Sequence, residues 1–170
     1  MQILIYLLPA LLVVVAITAG VLTSRTAKQP EPAPAAQGPL APPENAPDAG
    51  SPACARLLAA LPTVLPARAG QLRRLAPTAP APSASLAWGP AEAPVVLRCG
   101  LPRPPDLSPT SELIDIDAVS WLVHSGGGRD EFINVDRSVY TMLTVPLGVG
   151  TGPVQTISDV IRDTLPANRR

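Results

Sequence analysis

The chain has 170 residues, with 13 basic and 13 acidic side chains, 23 prolines, two cysteines and one histidine. Zero net charge removes the electrostatic case for a nucleic-acid partner. Two cysteines and one histidine are too few for a zinc finger or an iron–sulfur site, and no residue set points to a metal or cofactor. Proline at 23 of 170 residues lies far above the usual share of about 5% and indicates appendages around a folded part.

Residues 3–22 read ILIYLLPALLVVVAITAGVL and hold no charge. Twenty residues of helix rise about 30 Å, the thickness of a hydrocarbon core, so the run is expected to be a transmembrane anchor within residues 1–24. A cleaved signal peptide is the competing reading. It would have a basic start and an apolar stretch of about 7–15 residues, and this run is longer with no basic side chain before it. Arg25 and Lys28 follow the span, which by the positive-inside rule alone would keep the remainder in the cytoplasm. Long domains translocate largely regardless of such charges, and the cysteines favour an extracytoplasmic C-terminal domain.

Residues 25–52 form a proline- and alanine-rich linker in which Leu40 is the one large aliphatic. Such a segment cannot bury enough surface to offset chain entropy and is expected to be an extended tether. From 53 to 166 the composition changes: Leu, Ile, Val and Phe supply 32 of 114 residues, enough for a modest core. Residues 167–170 read as a tail.

Within that domain, Cys54, Leu57, Leu58 and Leu61 have helical spacing, between Ser51-Pro52 and Pro62. Residues 76–83 are expected to be a loop. Leu86–Trp88 and Val95–Cys99 read as strands about a Gly-Pro turn, and 113–123 as a strand or a bent pair. A turn at Ser125–Gly128 then precedes strands over 132–135 and 139–145, with Val139, Thr141, Leu143 and Val145 on one face. Pro153 opens a last helix with Val154, Ile157 and Ile161 on its buried stripe, and Pro166 ends it. The expected class is α+β: a small antiparallel sheet with helices on one face, preceded by the anchor and linker.

In an exported domain Cys54 and Cys99 most simply form a disulfide; in a cytoplasmic one they would be buried free thiols. No C-x-x-C suggests a redox pair. The order Cys54-Ala-Arg-Leu-Leu, Ala87-Trp88-Gly89-Pro90 and Val96-Leu97-Arg98-Cys99-Gly100, followed by Val119-Ser-Trp121-Leu122, Arg137 and Val145-Pro146, resembles the domain of unknown function 3515 family. These are envelope proteins of high-GC Gram-positive bacteria, and one lysine against twelve arginines suits a GC-rich genome. The resemblance covers about 53–166. It implies a single N-terminal membrane anchor and a paired-cysteine exterior domain, and no catalytic residues.

His124 is the sole ordinary general base near neutral pH. Ser120 or Ser125, with Asp115, Asp117 or Asp130, could complete a hydrolytic triad, but no nucleophile-elbow motif supports one, and a strand-end histidine beside a glycine turn is the plainer reading. The glycine run 126–128 lacks phosphate-loop spacing. Asp115 and Asp117, alternating on a strand, would share a face as solubilising carboxylates. Arg68, Arg73 and Arg74 read as a solvated loop. Arg98 would pair with Asp115 or Asp117, or else contact a ligand. Trp88 and Trp121 are expected in the core, with a sugar- or peptide-stacking platform as the alternative. The candidate ligand or partner surface therefore comprises Trp88, Arg98, Trp121 and Arg137. The functional expectation is a membrane-anchored, non-enzymatic binding or accessory protein of the envelope, contacting wall polymer or another envelope protein. The alternative is a cell-wall-modifying hydrolase using His124.

Overall fold

A computed structural model describes residues 46–77 and 84–168, all within the second of the chain's two units, 39–170. The anchor assigned to 3–22 and most of the linker lie outside the described residues, as does most of the 76–83 loop. Among the described residues no helix is long and apolar enough to cross a membrane.

The elements are α1 (Pro52–Ala60), β1 (Val64–Ala67), β2 (Gly70–Arg73), β3 (Ser85–Trp88), β4 (Val95–Leu101), β5 (Ile114–Ile116), β6 (Val119–Gly126), β7 (Arg129–Asn134), β8 (Tyr140–Pro146) and α2 (Gly152–Thr164). The architecture is mixed α and β. Strands β3 to β8 form one sheet in the order β3-β4-β8-β7-β6-β5, and β1 and β2 form a separate hairpin. Every pairing is antiparallel. Strands β5 to β8 form a meander, with two-residue turns at 117–118 and 127–128 and a longer connection at 135–139, and the β3–β4 hairpin joins alongside β8.

Local chemistry explains the element ends. Ser51 Oγ accepts from the Cys54 backbone N–H at 3.2 Å and Pro52 opens α1, which satisfies an otherwise orphaned helix donor. Gly127 and Gly128 both have positive φ (58° and 79°), as a two-residue hairpin turn requires. The β5–β6 turn places Asp117 and Ala118 in the same region without glycine (φ 49° and 62°). Its strain is held by Arg137, whose Nη2 donates to the Ala118 carbonyl at 2.7 Å.

Alternation along the strands creates two unlike faces. One carries Trp88, Val95, Leu97, Cys99, Val119, Trp121, Leu143 and Val145, buried against Leu57 of α1 and Val154, Ile157 and Ile161 of α2. The Cys54–Cys99 disulfide crosses this layer, with Cα atoms 5.7 Å apart, and ties the first helix to β4. Trp121 Nε1 donates to Ser158 Oγ of α2 at 3.0 Å, and Phe132 meets the Trp121 ring edge-on at 6.2 Å.

Several expectations shift. Residues 64–73 form a hairpin rather than a solvated loop. Its Arg74 donates through Nη2 to the Leu61 and Pro62 carbonyls and lies over the Trp88 ring, so the arginine cluster divides between surface and fold. The folded unit also begins before residue 53. Asp48 N–H donates to the Gly100 carbonyl at 3.1 Å, and a Cβ on Gly100 would stand 2.3 Å from the Ala49 nitrogen. The end of the proline-rich segment is therefore packed onto β4. The tail is likewise tied in: Asn168 donates to the Asp136 and Arg137 carbonyls at 2.9 and 2.7 Å.

Candidate functional site

The opposite face of the sheet is chemically different. The register places Ser85 and Ala87 (β3), Val96 and Arg98 (β4), Met142 and Thr144 (β8), Glu131 and Ile133 (β7), and Leu122 and His124 (β6) on it. One row across four strands reads Arg98, Met142, Ile133, Leu122; the next reads Val96, Thr144, Glu131, His124. The connection 102–113 leads from β4 to β5 at the far edge. It is joined to this face where His124 Nε2 and Asp106 Oδ2 approach to 2.7 Å.

Arg98 is half-buried, and burial pushes its guanidinium below its ordinary pKa; Glu131 opposes that shift and Arg129 adds to it. Glu131 is already engaged, since its Oε1 accepts from Arg129 Nε at 3.1 Å. Thr144 lies between Val96 and Glu131 in the register. Its hydroxyl is buried without a hydrogen-bond partner. A hollow of about 230 Å³ opens at the glycine-turn end of this face, lined by His124, Arg129, Glu131 and the Ser125–Gly127 segment.

The structure does not gather the four residues expected to make a ligand or partner surface. Trp88 and Trp121 are wholly buried, their indole N–H groups donating to the Pro62 carbonyl and Ser158 Oγ, so core packing replaces the stacking platform. Arg137 is 4% exposed and pairs with Asp136 Oδ2 at 2.6 Å, clamping the β5–β6 turn, the β7–β8 connection and the C-terminal segment. Its role is structural. Arg98 alone stands on an accessible face, and it pairs with neither Asp115 nor Asp117. Those two do not share a strand face: Asp117 sits in the turn, and Asp115 accepts from Ser120 Oγ at 2.6 Å on the far edge strand.

The triad also disassembles. Ser125 projects from the helix-covered side of β6, opposite Asp130, and donates to it at 2.6 Å, whereas His124 projects from the other side. Ser120 belongs to Asp115. The histidine's partner is Asp106, a residue the sequence reading passed over; it lies in an irregular, proline-rich connection with no periodicity to mark it.

The chain resembles other proteins of one family. It matches the family "Protein of unknown function (DUF3515)" over residues 7–169. The chain belongs to this family. The match reaches well beyond the 53–166 span carried by the recognised landmarks, into the apolar N-terminal run. No curated protein and no solved structure matched. Within this DUF3515 chain the landmarks have mechanical explanations. Trp88 pairs with Val95 across the β3–β4 hairpin, Gly89 (φ 97°) lies against Leu72, and Leu97 and Cys99 build the core while Gly100 admits the Asp48–Ala49 turn.

Proposed function

We propose that this protein is a membrane-anchored, extracytoplasmic accessory protein of the cell envelope that acts by binding rather than by catalysis. The buried Cys54–Cys99 disulfide carries the proposal. Both cysteines are fully enclosed, neither belongs to a redox motif, and structural disulfides persist in oxidising compartments. The uncharged run at 3–22 supplies a span of sufficient length, and the proline-rich tether after it lifts the domain toward its partner, wall polymer or another envelope protein.

The hydrolase reading through His124 draws no support from the site. The hydroxyls at Ser120 and Ser125 are bonded to Asp115 and Asp130, and Ser125 stands on the opposite side of β6 from His124. Crosslinking in living cells, followed by capture of the full chain, is expected to recover envelope polymer or a membrane protein; recovery of neither rejects the binding role. Topology is read with Leu147→Cys, at a side chain that is 66% exposed. A membrane-impermeant maleimide should label it in intact cells, whereas labelling only after lysis overturns the orientation.

A further inference from the structure

The second sheet face holds a half-buried charged group, Arg98. Arg98 projects from β4, the strand next to the centre of the sheet, and among the described residues its guanidinium makes no hydrogen bond or ion pair. A half-buried cation without an acceptor is costly, and proteins retain such groups where a ligand compensates them. The carboxylate that influences it, Glu131, is held by Arg129. Two guanidinium groups therefore face that one carboxylate, while the Asp106 carboxylate at the edge of the face is held by His124.

A second observation points to the same place. Thr144 is the residue after next from Met142, Arg98's direct partner on β8, so it is a diagonal neighbour at a typical Cα separation of about 7–8 Å. It is also the direct partner of Glu131. Its side-chain oxygen is buried and unpaired, although buried hydroxyls are ordinarily hydrogen-bonded. Arg98, Thr144, Glu131 and Arg129 thus form one oblique line across β4, β8 and β7, ending at the hollow beside His124. That line presents a fork of N–H donors, a hydroxyl and the remaining donors of Arg129.

We infer that this face binds an oxyanion group, a carboxylate or a phosphodiester, with Arg98 as its bidentate anchor and Thr144 and Arg129 as flanking donors. An arginine fork matches either group through two parallel N–H···O bonds. The inference rests on the proposed binding role and assigns it a ligand chemistry. Met142 and Ile133, beside Arg98 in its row, provide apolar contact for whatever chain carries the anion.

The test follows the Arg98 side-chain Nε–H resonance of the full chain in detergent micelles. Acetate, dimethyl phosphate and chloride are titrated separately at matched ionic strength. A saturable shift is expected with acetate, dimethyl phosphate or both but not chloride, and the responding anion identifies the carboxylate or phosphodiester source. Followed through Arg129, the response should weaken about tenfold or more in Arg98→Gln, and in Arg98→Lys as well, because a point charge cannot replace the fork. A chloride response equal to the others, no saturable shift, or an Arg129 response unchanged in Arg98→Gln overturns the inference. Circular dichroism confirms that both variants fold, and Thr144→Val repeats the comparison without altering charge. Undiminished envelope capture by Arg98→Gln would reject this site while leaving the accessory role intact. Anion binding without any envelope capture would do the reverse.

Discussion

The two faces of the six-stranded sheet are built from the same strands by alternation, yet they divide the work of the molecule. The helix-covered face concentrates both tryptophans, the disulfide and the largest aliphatics. Its Trp121–Ser158 contact is satisfied, while the Thr141 hydroxyl and Asn134 Oδ1 on this face are buried without a partner. The other face carries Arg98, Arg129, Glu131 and His124, and leaves the Thr144 hydroxyl unpaired. Burial at about 25 cal/mol per Å² makes the first face the source of stability. Charged side chains on a face that the helices leave open make the second face the place to look for recognition.

Substitutions on the two faces should therefore separate stability from binding. Trp121→Ala, which empties the covered face, is expected to cost about 3–5 kcal/mol and shows as a lowered urea midpoint. Trp121→Phe keeps most of the volume and loses the Ser158 bond, at about 1 kcal/mol. Removing the cross-link with Cys54→Ser and Cys99→Ser together should cost roughly 2–5 kcal/mol, by thermal and denaturant unfolding. Gly100→Ala tests the seam where the Asp48–Ala49 turn reaches β4. A Cβ there would collide with backbone at positive φ, so a loss of about 1–3 kcal/mol is expected, with faster amide exchange at Asp48. At the small end, His124→Ala should change stability by no more than about 1 kcal/mol, because its pair with Asp106 is largely exposed. A loss as large as that of Trp121→Ala would mean that this face carries stability as well.

Much of this division was legible in the residues. The spacing of Cys54, Leu57 and Leu61 and the capping Ser51-Pro52 foretold α1, and Pro153 with Val154, Ile157 and Ile161 foretold α2. Both elements follow from local periodicity and capping. The hairpin at 64–73 escaped because Pro66 and the short, arginine-rich strands carry weak strand signals; its place depends on Arg74 reaching Leu61, Pro62 and Trp88. The candidate site was harder still. Arg98 was visible as a charge within an apolar strand, but Thr144 and Glu131 became its neighbours only through register.

By itself the sequence determined the class, the two helices, the alternation that makes one sheet face apolar, and which two cysteines could pair. Those properties are local, or follow from composition and from having only two thiols. Tertiary structure alone decided that Arg137 clamps the turns, that Ser125 and His124 point to opposite sides, and that Arg98 has no acceptor among the described residues and lies near an engaged carboxylate. These depend on strand order and on which distant residues are brought into register, information that no window of neighbouring residues contains.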